Sequence, residues 1–288
     1  MKISRFYRWA TAATVAALMM AAAPAFATWS IVAVDRATGR VSMATASCVD
    51  VKTDHEYRDL TLVVVPGVGI AACQAGVDRT LKNQQFIFEE LKKGTEPKAI
   101  LERIARDDPD FQQRQFGIVD MKGRMASHTG LNNGYVAQVI QGQVPGTEIF
   151  YSVQANTMRA GKVVPNAAAA FLKTDGALTD RVMAAMDAAD GSGGDVRCTC
   201  PAYPTDGSKP AIACSNRVAH AAWIIMADPK DPAGDSFNNG DYSLFLTVLQ
   251  PGPDRGPNQI KPGEDLNAQS TLRMRYDAWR KTQAASYK

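Results

Sequence analysis

Histidine is scarce, a long apolar run occurs only before residue 28, and the rest of the chain has no excess charge of either sign. Each shortage removes a class of function. Of the three histidines, His55 and His220 have no carboxylate or cysteine partner at a telling spacing, and His128 closes a strand beside Thr129-Gly130. A nucleophile–histidine–acid triad therefore has no support. The net charge of +3 belongs to Lys2, Arg5 and Arg8; without them, 29 of the 32 basic residues remain against 29 acidic ones. A neutral body gives no grip on nucleic acid or on an anionic membrane. No second apolar stretch is long enough to span a bilayer, so no membrane contact is expected once the first 27 residues are gone.

Metal-ligand spacings are missing too. Cys198-Thr199-Cys200 is one residue short of the usual C-x₂-C and has no histidine pair nearby. Asp228, Asp231, Asp235, Asn238, Asn239 and Asp241 do not fit the spacing of a calcium loop and read as a solvated segment. No metal and no cofactor is expected.

What is present begins with a basic start, then an uncharged, alanine-rich run from Trp9 to Ala27 with Pro24 and small residues at Ala25 and Ala27. That is the pattern of a cleaved signal peptide, and it implies a periplasmic or secreted protein. The chain divides into a signal peptide (1–27), a body (28–250), a Pro/Gly linker (251–264) and a C-terminal helix (265–288). A cut after Ala27 leaves Thr28 as the first residue. A terminal threonine carries a hydroxyl and its own α-amine, so nucleophile and general base can sit in one residue. All five cysteines (Cys48, Cys73, Cys198, Cys200, Cys214) lie beyond the cut, where disulfides persist, and the odd count leaves one thiol over. Cys198 or Cys200 with Cys214 would close a short loop, and Cys48 with Cys73 would bridge a sheet; the sequence leaves the pairing open.

Along the body, Ser30–Val34 and Arg40–Ala46 read as a hairpin around Asp35-Arg36-Ala37-Thr38-Gly39. Val49–Asp59 is polar and reads as a loop, followed by strands at Leu60–Val65 and Val68–Ala72. Asp78–Lys93 has helical spacing and stops at Gly94, and Thr95 is expected to cap a second helix with Pro97 in its first turn. Strands follow at Gln115–Asp120, Arg124–Ser127 and Ile149–Gln154, helices at Ala167–Leu172 and Leu178–Ala189, and strands at Ala219–Ala227 and Tyr242–Leu249. Leu266–Thr282 has the apolar spacing of a terminal helix packed on the body. Hairpins alternating with helix pairs point to an α+β fold, a four-layer αββα sandwich of two antiparallel sheets.

The segments TWSIVAVDRATGRVSMATAS, GVGIAACQAG, RQFGIVDMKGRMASHTG, VQANTMRAG and GGDVR resemble, in this order, the motifs of the bacterial family of unknown function numbered ten twenty-eight. That family is grouped with the N-terminal nucleophile (Ntn) hydrolases, the αββα clan of proteasome subunits and several amidases. The resemblance covers roughly Thr28 to Leu249 and implies the same Ntn-hydrolase-like fold. It also implies Thr28 as nucleophile and its α-amine, titrating at about 7.7–8.0, as base. Further roles follow by position. Backbone donors in Cys73-Gln74-Ala75-Gly76 would open a helix and hold an oxyanion, with Gln74 and Gly76 as the candidates. Ser47 or Thr45 would hydrogen-bond the amine, and Asn156, Asp195 and Arg197 would position amine or substrate. The aspartate near Thr45 and the following lysine of proteasome subunits are not evident, which speaks against proteasome-type proteolysis. After Arg197, a Cys-Thr-Cys run replaces the family's Gly-x-Gln.

Two functions are compatible with these residues. One is an exported Ntn-type amidohydrolase acting on a small-molecule or peptide amide. The other is a non-catalytic envelope protein that keeps the fold and binds a ligand or partner. Either leaves room for a homo-oligomer.

Overall fold

The computed structural model describes residues 28–134, 136–198, 217–252 and 256–286. Residues 1–27, with Lys2, Arg5 and Arg8, and also Cys200 and Cys214, lie outside the described residues.

The fold is laid down from a central hairpin. β1 (Thr28–Asp35) and β2 (Arg40–Ser47) pair antiparallel over their full length, with Thr28 opposite Ser47 and Asp35 opposite Arg40. The turn closes because the Asp35 carboxylate accepts from Ala37 N–H (3.0 Å) and the Thr38 hydroxyl (2.7 Å), while Gly39 takes φ +75°, a conformation glycine adopts without steric cost. The remaining elements follow in order: α1 (Asp54–Thr61), β3 (Leu62–Val65), β4 (Gly69–Ala75), α2 (Lys82–Lys92), α3 (Pro97–Asp107), β5 (Arg114–Asp120), β6 (Met125–Thr129), β7 (Gln138–Gln143), β8 (Ile149–Asn156), α4 (Val163–Lys173), α5 (Leu178–Gly191), β9 (Ala221–Ala227), β10 (Leu244–Leu249) and α6 (Ala268–Ser286).

The strands form two antiparallel sheets, β10-β9-β2-β1-β8-β7 and β3-β4-β5-β6. Alternation along each strand decides what lies between and outside them. From β1, Trp29, Ile31 and Ala33 face outward into a cluster with Val163, Phe171, Val182 and Met186 of α4 and α5 and with Leu272 and Tyr276 of α6. Val32 and Val34 face inward and meet Leu62, Val64, Ile70 and Val119 of the other sheet. On the far side, Ile87, Phe88, Leu91, Ile100 and Ile104 of α2 and α3 cover Val63, Ala71, Phe116 and Ile118. The result is helices, sheet, sheet, helices: the four-layer αββα sandwich. Among the described residues, no helix is long and apolar enough to cross a membrane.

Several local expectations are corrected. The stretch read as a loop over Val49–Asp59 contains the start of α1, because Thr53 caps it by accepting from Glu56 N–H (3.1 Å). Leu60 and Thr61 accordingly belong to that helix and not to β3. β7 pairs the sheet edge where no strand was expected. α2 starts at Lys82 and not at Asp78, because the Asp78 carboxylate takes Thr80 N–H, the Thr80 hydroxyl and Asn83 N–H in a turn that precedes the helix. Thr95 does not cap α3; its hydroxyl donates to Glu90 (2.8 Å), and Glu96 occupies the N-cap. Cys48 is bonded to Cys198 and Cys73 is a buried free thiol, which overturns both the Cys48–Cys73 and the Cys198–Cys214 pairings; Cys200 with Cys214 lies outside the described residues.

Candidate functional site

The space between the sheets is apolar at one end and polar at the other. Moving along β1 from the turn, the inward positions read Val34, Val32, Ser30, Thr28; along β2 they read Val41, Met43, Thr45, Ser47. Gln74 on β4, Gln115 on β5 and Asn156 on β8 complete the polar end. Thr28, Ser30, Thr45, Ser47, Gln74, Gln115 and Asn156 are all buried. Polar groups withdrawn from water must find partners, and here they find one another.

The Thr28 hydroxyl donates to Ser47 Oγ at 3.2 Å. Ser30 Oγ donates to Gln74 Oε1 (2.5 Å) and lies 2.8 Å from Thr45 Oγ1, which donates to the Trp29 carbonyl (3.0 Å). Gln74 Nε2 donates to the Thr28 carbonyl (3.1 Å) and to Gln115 Oε1 (2.6 Å). Asn156, paired opposite Thr28 across β1 and β8, donates through Nδ2 to the same Gln115 oxygen (3.1 Å). Gln115 Nε2 in turn donates to Thr129 Oγ1 (3.0 Å) and to the Ala155 and Gln138 carbonyls (3.1 and 3.2 Å). Gln115 is therefore the hub that fixes both amides flanking Thr28.

A charged pair closes the other side. Asp195 is fully buried and accepts from Cys48 N–H (2.9 Å), Arg197 N–H (2.9 Å) and the Arg197 guanidinium (2.7 Å). Arg197 also donates to Ser47 Oγ (3.3 Å), the oxygen that receives the Thr28 hydroxyl. Gly194 makes this approach possible. It takes φ +49°, and a Cβ there would stand 2.8 Å from Val218 Cβ and 3.1 Å from the Trp29 ring. The Cys48–Cys198 bond, with Cα atoms 5.6 Å apart, fastens the residue after Ser47 to the residue after Arg197. Tyr57 of α1 reaches the same spot. Its phenol lies 3.3 Å from Thr45 Oγ1, on the side of the cluster where the Ser47 and Thr28 hydroxyls favour its ionised form. Burial pushes that phenol up to about 12, against the pull of Thr45, Ser47 and Thr28.

Of the candidates read from the sequence, Thr28, Ser47, Gln74, Asn156, Asp195 and Arg197 meet at one end of the sandwich. Gly76 does not serve as expected, and the supposed helix start is the end of strand β4. Its N–H donates to the Gln113 carbonyl (2.8 Å), its carbonyl accepts from Arg114, and a Cβ there would meet Gln113 at 3.0 Å. Gly76 lets two chain segments approach and offers no oxyanion donor. Gln74 contributes its side chain, already committed at both ends. Thr45 bonds the Trp29 carbonyl, and His128 stacks on Phe111 with ring centroids 3.6 Å apart. Ser30, Gln115 and Tyr57 were missed. Ser30 and Gln115 had a readable signal, a polar residue on the inward phase of an otherwise apolar strand. For Tyr57 the signal was the Thr53-x-x-Glu56 capping pattern.

Residues 28–202 match a family described as "Family of unknown function (DUF1028)". The chain belongs to this family. The match begins at Thr28, the residue on which the polar cluster converges. A crystal structure of protein SPO2555 from Silicibacter pomeroyi, also described as DUF1028, is similar with a TM-score of 0.60. It is 18% identical, and the similarity spans 88% of both chains, so it carries the fold alone. No curated protein matches this DUF1028 chain.

Proposed function

We propose that this DUF1028 protein is an exported hydrolase of the Ntn type, acting on an amide bond after residues 1–27 are removed. The observation that carries the reading is Thr28 itself. It ends a central strand, is the first residue of the family match, and directs its hydroxyl into a buried hydroxyl–amide cluster beside a fixed guanidinium. In the full chain its nitrogen is the amide of the Ala27–Thr28 bond; a cut there turns it into an amine. The hydroxyl proton then passes to that amine as Thr28 Oγ bonds the substrate carbonyl carbon, and the carbonyl electron pair moves to oxygen. Asn156 Nδ2 uses one proton on Gln115, and in this reading its second stabilises that oxygen. Collapse expels the amine half of the substrate, which takes the proton from the Thr28 ammonium, and water hydrolyses the ester. The Cys48–Cys198 bond and the leader pattern support an oxidising compartment, periplasmic or extracellular.

The test is turnover of an amide library by the chain beginning at Thr28. Hydrolysis that survives Thr28→Ser and vanishes in Thr28→Ala supports the reading. Hydrolysis that persists in Thr28→Ala refutes it.

One observation favours the alternative, a non-catalytic binding protein. Thr28 is 1% exposed in the full chain, and none of five cavities lined by described residues includes it. That protein would begin at Thr28, fold, and hydrolyse none of the amides.

A further inference from the structure

The hydrogen bond from Thr28 to Ser47 poses a problem for any reaction at Thr28. In the resting cluster Thr28 is a donor. As its proton leaves for the amine, Oγ gains negative charge and needs donors. Ser47 Oγ already accepts from Thr28, from Val49 N–H (3.3 Å) and from Arg197 (3.3 Å), so its own hydroxyl proton is the single donor it has to offer. Thr45 Oγ1 spends its proton on the Trp29 carbonyl and Ser30 Oγ on Gln74, and the next hydroxyl in the cluster is the phenol of Tyr57. A phenol is far more acidic than an aliphatic alcohol and is the stronger neutral hydrogen-bond donor of the two.

Tyr57 is held there from several directions. The Thr53 cap starts its helix, and the Thr61 hydroxyl donates to its carbonyl (2.6 Å). Trp223 meets its ring edge-on, with centroids 6.5 Å apart and planes at 67°. The hydroxyl ends among Thr45, Ser47 and Thr28, and the residue is 2% exposed. Packing alone would be served equally well by phenylalanine.

Resting on the reading of Thr28 as nucleophile, we propose that Tyr57 is a second catalytic residue, whose phenol donates a hydrogen bond to Thr28 Oγ while that oxygen carries charge. It does so as the hydroxyl proton passes to the α-amine, and again as the ester formed on Thr28 breaks. The phenol keeps its own proton throughout: the amine takes and returns the mobile proton, and water supplies the hydroxyl of the released acid. The nearest charged groups fit this. Asp195 opposes ionisation of the phenol, and Arg197, on Ser47, favours charge on the oxygens beside it. Tyr57 therefore remains a neutral donor throughout the range in which the amine is a competent base.

The experiment measures the second-order rate of acylation of Thr28 by a β-lactone in the chain beginning at Thr28, across pH 6–11, with intact mass to locate the adduct. Tyr57→Phe is expected to keep its melting temperature within a few degrees and to be acylated about 10- to 100-fold more slowly, the loss of one donor to a developing charge. Replacing Tyr57 by 3-fluorotyrosine keeps ring and hydroxyl but ionises at lower pH. It is expected to restore the rate near neutrality and to move the alkaline fall in rate to lower pH, which also serves if Tyr57→Phe does not fold. A wild type acylated at Thr28, with Tyr57→Phe at the same rate and fluorotyrosine at the same alkaline limb, overturns the role of Tyr57 alone. A wild type that is not acylated at Thr28 overturns the nucleophile and Tyr57 together.

Discussion

Removing the Cys48–Cys198 bond by the double substitution Cys48→Ala/Cys198→Ala puts the largest single load on this structure. The bond joins residues 150 apart in sequence. In the chain-entropy account, a closed loop of that length raises the free energy of the unfolded chain by about 5 kcal/mol at 25 °C, and measured losses on removing native disulfides run about 2–5 kcal/mol. For a domain of this size about 1 kcal/mol moves the melting temperature by about 2–4 °C, so a fall of about 4–20 °C is expected. A second, local consequence separates this bond from an ordinary staple. Asp195 takes Cys48 N–H and Arg197 reaches Ser47 Oγ only because the two segments are held together, so the variant should also lose acylation of Thr28 at temperatures where it is still folded. Calorimetry of parent and variant, with the acylation rate followed in parallel at 20 °C, gives both quantities. A melting temperature within about 3 °C of the parent, with an unchanged rate, would refute the claim that this crosslink holds the site.

Other consequences follow from single residues. Burial, with Asp187 and Asp265 nearby, pushes Asp190 up to about 6 against the pull of the Asn267 amide. The folded state thus keeps a proton that the unfolded chain loses near its ordinary pKa of about 3.9. The stabilisation is full below about pH 4 and lost as pH rises through about 6, at most about 3 kcal/mol. Urea unfolding at pH 4–7 should show that loss in the parent and a smaller one in Asp190→Asn; identical slopes contradict it. Gly194→Ala should cost about 1–3 kcal/mol in chemical denaturation, because its Cβ would press on Val218 and Trp29 from a left-handed backbone; a neutral effect contradicts the close approach. Arg275 fastens α6 through Glu264 (2.7 Å) and the carbonyls of Thr247, Asn258 and Gln259. Arg275→Ala should cost about 2–4 kcal/mol and make α6 the first site of limited proteolysis; unchanged cleavage would mean the helix docks by its apolar face alone.

The layering was legible because it rests on local periodicity: strands in hairpins, helices in pairs, and alternating residues on β1 and β2 that assign one side to each layer. Thr28, Ser47 and Asn156 were legible as candidates for a related reason. Antiparallel register brings a strand's first residue opposite the last residues of its neighbours, and all three sit at such ends. What failed was local sequence overruled by distant partners. Cys73-Gln74-Ala75-Gly76 looks like a turn into a helix, yet Gly76 is held by Gln113 and Arg114, nearly forty residues on. Cys48 and Cys198 are brought together by the fold, and no spacing rule reaches that far. The edge strand β7, with its glycine and three glutamines, lacks the β-branched alternation by which inner strands are recognised. The α1 helix is a different failure, since its Thr53-Asp54-His55-Glu56 cap was in plain view. Missing it hid Tyr57.

The central claim is that Thr28 becomes the first residue and the nucleophile, and it is tested most directly by intact mass and N-terminal sequencing of the exported protein before and after treatment with a β-lactone. The account predicts a chain beginning at Thr28 that gains a single adduct, absent in Thr28→Ala. A chain that begins elsewhere, or an exported Thr28 that stays unmodified in a folded protein, contradicts it and leaves the binding protein as the better description.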